Sequence, residues 1–336
     1  MIAGLAERDN SLRGLRPFNP LLDFGPTSEL IELAFGRDLD PSSRAMLHEM
    51  RTFGWLLGPL FWLFNALHSP LADSFGGYVW VEEGNIVGNV TVHRRYKGNA
   101  GWFISNLAVH PDHRGKGIAG VLISAGMELA RQKAAQRISL EVRAQNVPAR
   151  RLYEDLGFTQ ADSVGRMRMD PLRGAKPVPS EAYETMMVKP SEWNQLLLLA
   201  EDALSPDARE IRPPRREDCR PSFLQRLVSG MGDLLNGRTT HRFAARSHGE
   251  IAGVVTLRTG GFLVPHSLTL MVHPAHRRKV EETLLTHALA VLETGRSQTV
   301  LAKIHPSYDF VRDIFIEYGF VEKETLDLLT VRLDHT

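Results

Sequence analysis

A short motif occurs twice in this chain, and the two copies lie about one domain length apart. His110-Pro-Asp-His-Arg114 is matched by His273-Pro-Ala-His-Arg277, an offset of 163 residues (273 − 110). Tyr153-Glu-Asp-Leu-Gly157-Phe158 is matched by Phe315-Ile-Glu-Tyr-Gly319-Phe320, an offset of 162 (315 − 153). Two offsets that agree within one residue identify a tandem duplication. The length agrees, since 336 residues at about 150 per domain is a little over two domains. Between the copies, Asp170–Ser180 holds Pro171, Gly174, Pro177 and Pro179, the composition of a linker. The expected division is 1–172, a linker at 173–180, and 181–336.

Apolar patterning gives each half the same order: strand, strand, strand, helix, strand, helix. In the first half, a short strand at Leu12–Arg16 and a helix at Pro20–Phe35 come first. Strands Tyr78–Glu82 and Ile86–His93 follow, joined by a tight turn at Glu83-Gly84-Asn85, and then strand Gly101–Val109. Helix Arg114–Ala135, strand Ile138–Val142 and helix Val147–Leu156 come next, with Gly157 as a C-terminal cap. Phe158–Ala161 and Arg166–Met169 read as a final pair of strands. The second half shows matching segments at Glu192–Leu204, Arg242–Ala245, Ile251–Arg258, Ser267–Val272, Ala275–Leu292, Thr299–Ile304 and Tyr308–Glu317.

Charge narrows the partners. Lys+Arg is 40 and Asp+Glu is 39, a net charge of +1, so the basic excess of a general nucleic-acid binder is missing. A single cysteine, Cys219, can form no internal disulfide and suits a reducing cytoplasm. Its arginine-rich surroundings leave a reactive role open. No apolar leader opens the chain, which again points to the cytoplasm. From Thr52 to Ala72 there is no Asp, Glu, Lys or Arg, and Phe53, Trp55, Phe61, Trp62 and Phe64 crowd together. Gly54, Gly58, Pro59, Asn65, His68 and Pro70 interrupt that stretch. It reads as a buried helix pair or an apolar acceptor-site wall, with membrane contact through Phe53–Phe64 as the rival.

The chemistry starts at Arg114-Gly-Lys-Gly-Ile-Ala-Gly120, which follows a strand and opens a helix. The first N–H groups of a helix have no internal partner, and with the dipole they make an anion site. Small residues let a phosphate approach the backbone, and Arg114 and Lys116 add charge. The spacing is neither a Walker-type loop nor the dinucleotide G-x-G-x-x-G.

Ile104–Ala119 resembles the cofactor motif of the GNAT acetyltransferase superfamily, R/Q-x-x-G-x-G/A, filled by Arg114, Gly117 and Ala119. Leu140–Phe158 resembles a second hallmark of that family, in the form seen in ribosomal-protein alanine N-acetyltransferases. The resemblance implies an α/β (α+β) fold: two tandem acetyltransferase-type domains, each a mixed, mostly antiparallel central sheet flanked by helices. It also implies acetyl-CoA, or another acyl-CoA, as cofactor. The pyrophosphate would lie on Arg114, Gly115, Lys116, Gly117, Ile118, Ala119 and Gly120. The pantetheine arm would run along the strand carrying Leu107 and Val109, with the Val109 N–H facing the thioester oxygen as an oxyanion donor. Asn146, a suitable helix N-cap, would hold the pantetheine end. Tyr153, two helical turns on, would protonate the departing thiolate. Glu141 aligns with the family's general base and would act through water; a strand carboxylate paired with an arginine is the alternative.

In the second half Gly115, Gly117 and Ala119 become Arg278, Val280 and Glu282, and Glu282 is expected to repel phosphate. Glu141, Asn146 and Tyr153 become Lys303, Tyr308 and Phe315. This copy reads as degenerate. The tandem layout is similar to mycothiol synthase, where the catalytic half is the second. His93, His110 and His113 do not make a metal site, and none is expected. The function expected is transfer of an acetyl group to a primary amine of a small molecule or peptide, by a monomer or homodimer. The alternatives are a non-catalytic acyl-CoA-binding or regulatory protein, and an acyltransferase for an apolar or lipid-associated acceptor.

Overall fold

The computed structural model describes residues 13–35, 75–94, 101–170, 183–220, 238–260, 265–293, 298–304 and 309–334. The aromatic stretch Phe53–Phe64, the linker 173–180 and Tyr308 lie outside the described residues. Among the described residues no helix is long and apolar enough to cross a membrane.

The chain divides into two compact units, and they do not follow the repeats. Unit 1 is Met1–Leu140, Glu154–Thr159 and Thr330–Thr336; unit 2 is Glu141–Tyr153 and Gln160–Leu329. The last residues of the second repeat thus belong to unit 1, and part of the first repeat belongs to unit 2.

In unit 1, strands β1 (Gly14–Pro17), β2 (Phe75–Glu82), β3 (Asn85–Arg94) and β4 (Trp102–Val109) form an antiparallel ladder. The start of β5 (Arg137–Arg143) joins β4 in parallel. The β2–β3 turn is the two residues Glu83 and Gly84, both at positive φ (50° and 76°), the twist that suits a two-residue hairpin. Helix α1 (Pro20–Phe35) is tied to β1 by Arg16, whose guanidinium grips the buried Asp23 at 2.6 and 2.8 Å. Helix α2 (Ile118–Gln132) lays Ile118, Leu122, Ile123, Met127 and Ala130 on the sheet. It can approach closely because Gly88 sits beneath it. A Cβ there would lie 2.9 Å from Leu122 Cδ1 and 3.0 Å from Ile118 Cγ2.

Unit 2 contains helix α3 (Val147–Asp155) up to Tyr153, strand β6 (Thr159–Met169) from Gln160, strands β7 (Glu184–Met187), β8 (Thr240–Ser247), β9 (Glu250–Arg258), β10 (His266–Val272) and β11 (Val300–Ile304), and β12 (Val321–Arg332) as far as Leu329. Helices α4 (Trp193–Ala203), α5 (Pro206–Ile211), α6 (Arg216–Cys219), α7 (Glu281–Glu293) and α8 (Asp309–Glu317) complete it. The strand order is β12-β6-β11-β10-β9-β8-β7. Strand β6, from the first repeat, pairs antiparallel with β11 of the second, Gly165 opposite Ile304 and Met169 opposite Val300. Its Met167 and Met169 are buried among Leu257, Leu268, Leu284, Phe315 and Phe320.

Three sequence expectations change. The two strands expected at Phe158–Ala161 and Arg166–Met169 are one strand, β6. The polar run between them is held by a tertiary partner, Ser163 Oγ donating to buried Asp327 at 2.6 Å. Helix Arg114–Ala135 begins only at Ile118, because Gly115 and Gly117 take φ of 76° and 79°, outside the helical region. Helix Ala275–Leu292 likewise begins at Glu281. Strands β7 and β12 and helices α5 and α6 were not anticipated.

Candidate active site

The duplicated pentapeptide is a structural turn. In each copy the first His caps a 3-10 turn, its Nδ1 accepting from the second following N–H. His110 takes Asp112 N–H at 3.3 Å, and His273 takes Ala275 N–H at 3.2 Å. The Pro at the first position of the turn has no N–H to satisfy. His113 pairs with Glu82 at 2.9 Å. These histidines position backbone, and among the described residues no group of three His, Cys, Asp or Glu could hold a metal.

The cofactor candidates of unit 1 sit on two adjoining pieces of backbone. Strand β4 carries a bulge: its register against β3 shifts between Asn89 and Thr91, and Asn106 takes φ of 51°. Buried Asn89 fixes the bulge, donating from Nδ2 to the Asn106 carbonyl at 2.9 Å. The parallel ladder to β5 covers Trp102–Ile104 and ends there. Leu107 and Val109 lie past that end. Strand β10, the counterpart, runs against β9 from Ser267 to Val272 with no shift of register.

The turn after β4 is the second piece. The Arg114 side chain returns to β4, Nε donating to the Val109 carbonyl at 3.3 Å. Gly115 and Gly117 are both at positive φ, and a Cβ on either would meet no described atom within 4 Å. The first backbone bond of α2 runs from Val121 N–H to the Gly117 carbonyl, 3.2 Å. The N–H groups of Ile118, Ala119 and Gly120 therefore point out of the helix end into that open space. Lys116 is exposed beside it. Donors, room and positive charge together fit a phosphorylated ligand such as CoA.

The second repeat shows the same turn closed by its own carboxylate. Glu281, 2% exposed, accepts from the N–H groups of Arg278 (2.9 Å), Lys279 (3.0 Å) and Val280 (3.2 Å). A side-chain anion stands in the turn and takes the N–H groups of the counterparts of Gly115, Lys116 and Gly117. Arg278 occupies the position of Gly115 and keeps a positive φ, 65°, at a cost of about 1–2 kcal/mol for a residue with a Cβ. Glu282, expected to repel phosphate, instead accepts from the Tyr318 hydroxyl at 2.8 Å. The closing residue is the one before it. An acid in the first turn of a helix was the sequence signal that would have found it.

The remaining candidates lie in unit 2. Asn146 caps α3, Oδ1 accepting from Ala149 N–H at 3.3 Å. Tyr153 is 7% exposed on α3, and burial pushes its phenol up to about 12, so it stays protonated through neutral pH. Its counterpart Phe315 is fully buried against Phe320, with no hydroxyl to offer. Glu141 accepts from Arg212 Nη2 at 2.6 Å. Arg212 was not singled out from sequence, because nothing in the primary structure brings a residue 71 positions away to β5. Cys219 packs with Leu196 and Leu199, and burial pushes its thiol up, away from the thiolate a reactive cysteine needs.

Residues 45–158 match the family model described as Acetyltransferase (GNAT) family. A Bacillus subtilis protein named for alanine N-acetylation of ribosomal protein bS18 is 43% identical over 55 residues, 16% of this chain and 36% of that protein. The mycothiol acetyltransferase of Corynebacterium aurimucosum is 43% identical over 51 residues, 15% of this chain and 17% of its own length. The chain thus spans well under two thirds of these relatives. Two solved structures share the fold over nearly the whole chain. A GCN5-related N-acetyltransferase from Sphaerobacter thermophilus has a TM-score of 0.62 at 17% identity, covering 95% of each chain. A tandem GNAT protein from the clavulanic acid biosynthesis pathway has a TM-score of 0.58 at 16% identity, covering 96% of this chain and 99% of that one.

Proposed function

We propose that this chain, which carries a GNAT acetyltransferase domain, moves an acetyl group from acetyl-CoA, or another acyl-CoA, to a primary amine of a small molecule or peptide. The first repeat is the catalytic one. The observation that carries this reading is the contrast between two copies of one turn. In the first, two glycines at positive φ leave the helix donors open. In the second, the buried Glu281 carboxylate occupies the turn and takes the N–H groups of Arg278, Lys279 and Val280, the counterparts of Gly115, Lys116 and Gly117.

Bound acyl-CoA supplies an acyl carbon activated as a thioester. Arg114, Lys116 and the N–H groups from Gly117 to Gly120 hold its pyrophosphate. Leu107 and Val109 offer strand backbone to the pantetheine arm, and the Val109 N–H donates to the thioester oxygen as charge develops there. Asn146 contacts the pantetheine end. An alkyl ammonium has a pKa near ~10 and an α-amine near ~8, so a base must take a proton before nitrogen attacks. Glu141 takes that proton, directly or through one water. The new C–N bond forms as the C–S bond breaks, Tyr153 gives its proton to the departing sulfur, and the second proton leaving the nitrogen restores the phenol by way of solvent. No covalent enzyme intermediate is needed.

The test combines native mass spectrometry with acetyl-CoA and a thiol-release assay over panels of amines and short peptides. The expected result is one CoA per chain and turnover on at least one amine. Two CoA per chain would overturn the assignment of the second repeat. Binding without turnover on any amine would make the protein an acyl-CoA-binding module.

A further inference from the structure

Arg212 belongs to the second repeat and Glu141 to the first, and both lie in unit 2. The Arg212 guanidinium meets Glu141 Oε1 at 2.6 Å, with side chains 21% and 31% exposed. A bond of this length between charged partners is charge-assisted and directional. Arg212 is itself held rigidly. It closes α5, whose Ser205 cap accepts from Ala208 N–H at 3.2 Å and whose Ala208 and Ile211 are fully buried. Its own N–H bonds the Ala208 carbonyl at 2.8 Å. Pro213 and Pro214 follow and restrict the backbone as it leaves. The neighbouring charge on the same face of β5, Arg143, is turned to Glu324 at 2.7 Å. The copy of Glu141 in the second repeat is Lys303, so the pair has no equivalent there.

We propose that Arg212 is a positioning residue for the acetyl-transfer reaction: the degenerate repeat supplies the guanidinium that orients the general base of the catalytic one. This rests on the reading of Glu141 as that base. A glutamate carboxylate on a strand swings about three side-chain torsions. An Arg contact to one oxygen restrains where the carboxylate lies and so where the amine proton is received. Misplacement by about 1 Å is enough to cost on the order of 10²-fold in rate. The second repeat is thereby part of the reaction without binding cofactor.

The test uses the full chain and the amine that the unaltered chain acetylates fastest. Four proteins are compared: Arg212→Ala, Arg212→Lys, Glu141→Gln and the Arg212→Ala/Glu141→Gln double variant. Arg212→Ala should lower kcat by about 10–100-fold while leaving KM for acetyl-CoA within about twofold. Arg212→Lys should recover part of that loss, since a charge returns without the planar fork. In the Glu141→Gln background, removal of Arg212 should have no further effect on kcat. A general structural role would instead lower the melting temperature, disturb KM as well and add to the Glu141→Gln loss. Unchanged kcat in Arg212→Ala, or full additivity in the double variant, would overturn the proposal. Full activity of Glu141→Gln, or no turnover by the unaltered chain, would overturn the underlying reading instead.

Discussion

Tyr153 is a weaker acid than its residue type suggests. Burial raises the phenol from 10.0 to about 12. A free thiol has a pKa near ~8.5, so complete transfer to a solvated thiolate would be uphill by roughly 5 kcal/mol. In the proposed reaction the proton therefore moves in step with C–S cleavage, when the sulfur is most in need of it. Tyr153→Phe keeps the ring and the packing and deletes the proton. Its kcat should fall about 10²–10⁴-fold, with acetyl-CoA affinity by calorimetry unchanged; an unchanged kcat would remove Tyr153 from the reaction. The same burial sets a stability limit. The folded phenol ionises above the unfolded one, so its contribution is fully present below pH 10 and is lost as pH climbs towards about 12. Melting temperature should fall over that window, and Tyr153→Phe should fall less steeply. The residual slope belongs in part to Tyr318, whose phenol burial also pushes up to about 12.

At the scale of elements, the strand–turn–helix after β4 is a cradle in one repeat and a closed turn in the other. Gly117→Glu places a carboxylate at the mouth of the first cradle and a side chain at a φ of 79°. The conformational cost is about 1–2 kcal/mol, small beside the loss of a phosphate site. Calorimetry should find no acetyl-CoA binding by a protein that still melts cooperatively; retained affinity would disprove the placement of the phosphates. This turn was legible in the sequence because it is local: glycine positions, a preceding strand and a following helix determine it. The duplication was legible for a similar reason, since His110, Pro111, His273 and Pro274 are needed for a local cap in both copies. What stayed hidden depends on distant partners. The single strand β6 reads from sequence as two, because the buried partner of Ser163, Asp327, is 164 residues away. Strand β12 was likewise not anticipated, and its neighbour in the sheet, β6, comes from the other repeat. Glu141 was legible as a candidate, while Arg212 was not, because the two lie 71 residues apart and meet only through tertiary structure.

For the whole molecule, the exchange of segments means that the repeats are not separable parts. Thr330–Thr336 belongs to unit 1, where Thr330 Oγ1 and Ser139 Oγ lie 3.1 Å apart and the Leu333 N–H bonds the Gln136 carbonyl at 2.9 Å. Leu333 is 3% exposed. In return, Met167 and Met169 of the first repeat fill the core of unit 2. A fragment of residues 1–172 would lose the burial of Leu333, worth about 1.5–3 kcal/mol. It would also lose two or more hydrogen bonds of about 1 kcal/mol each, and it would expose both methionines. Such losses are comparable with the whole stability of a domain, about 5–15 kcal/mol. They also leave β6 as an unpaired edge open to aggregation. The fragment should therefore show no cooperative melting by circular dichroism, and adding residues 181–336 in trans should restore it. A fragment that melts cooperatively alone would refute the dependence. The restored complex also separates two roles of the second repeat. With Arg212→Ala in the added piece, folding should recover while kcat stays low, because the exchanged strands serve stability and the guanidinium serves the reaction.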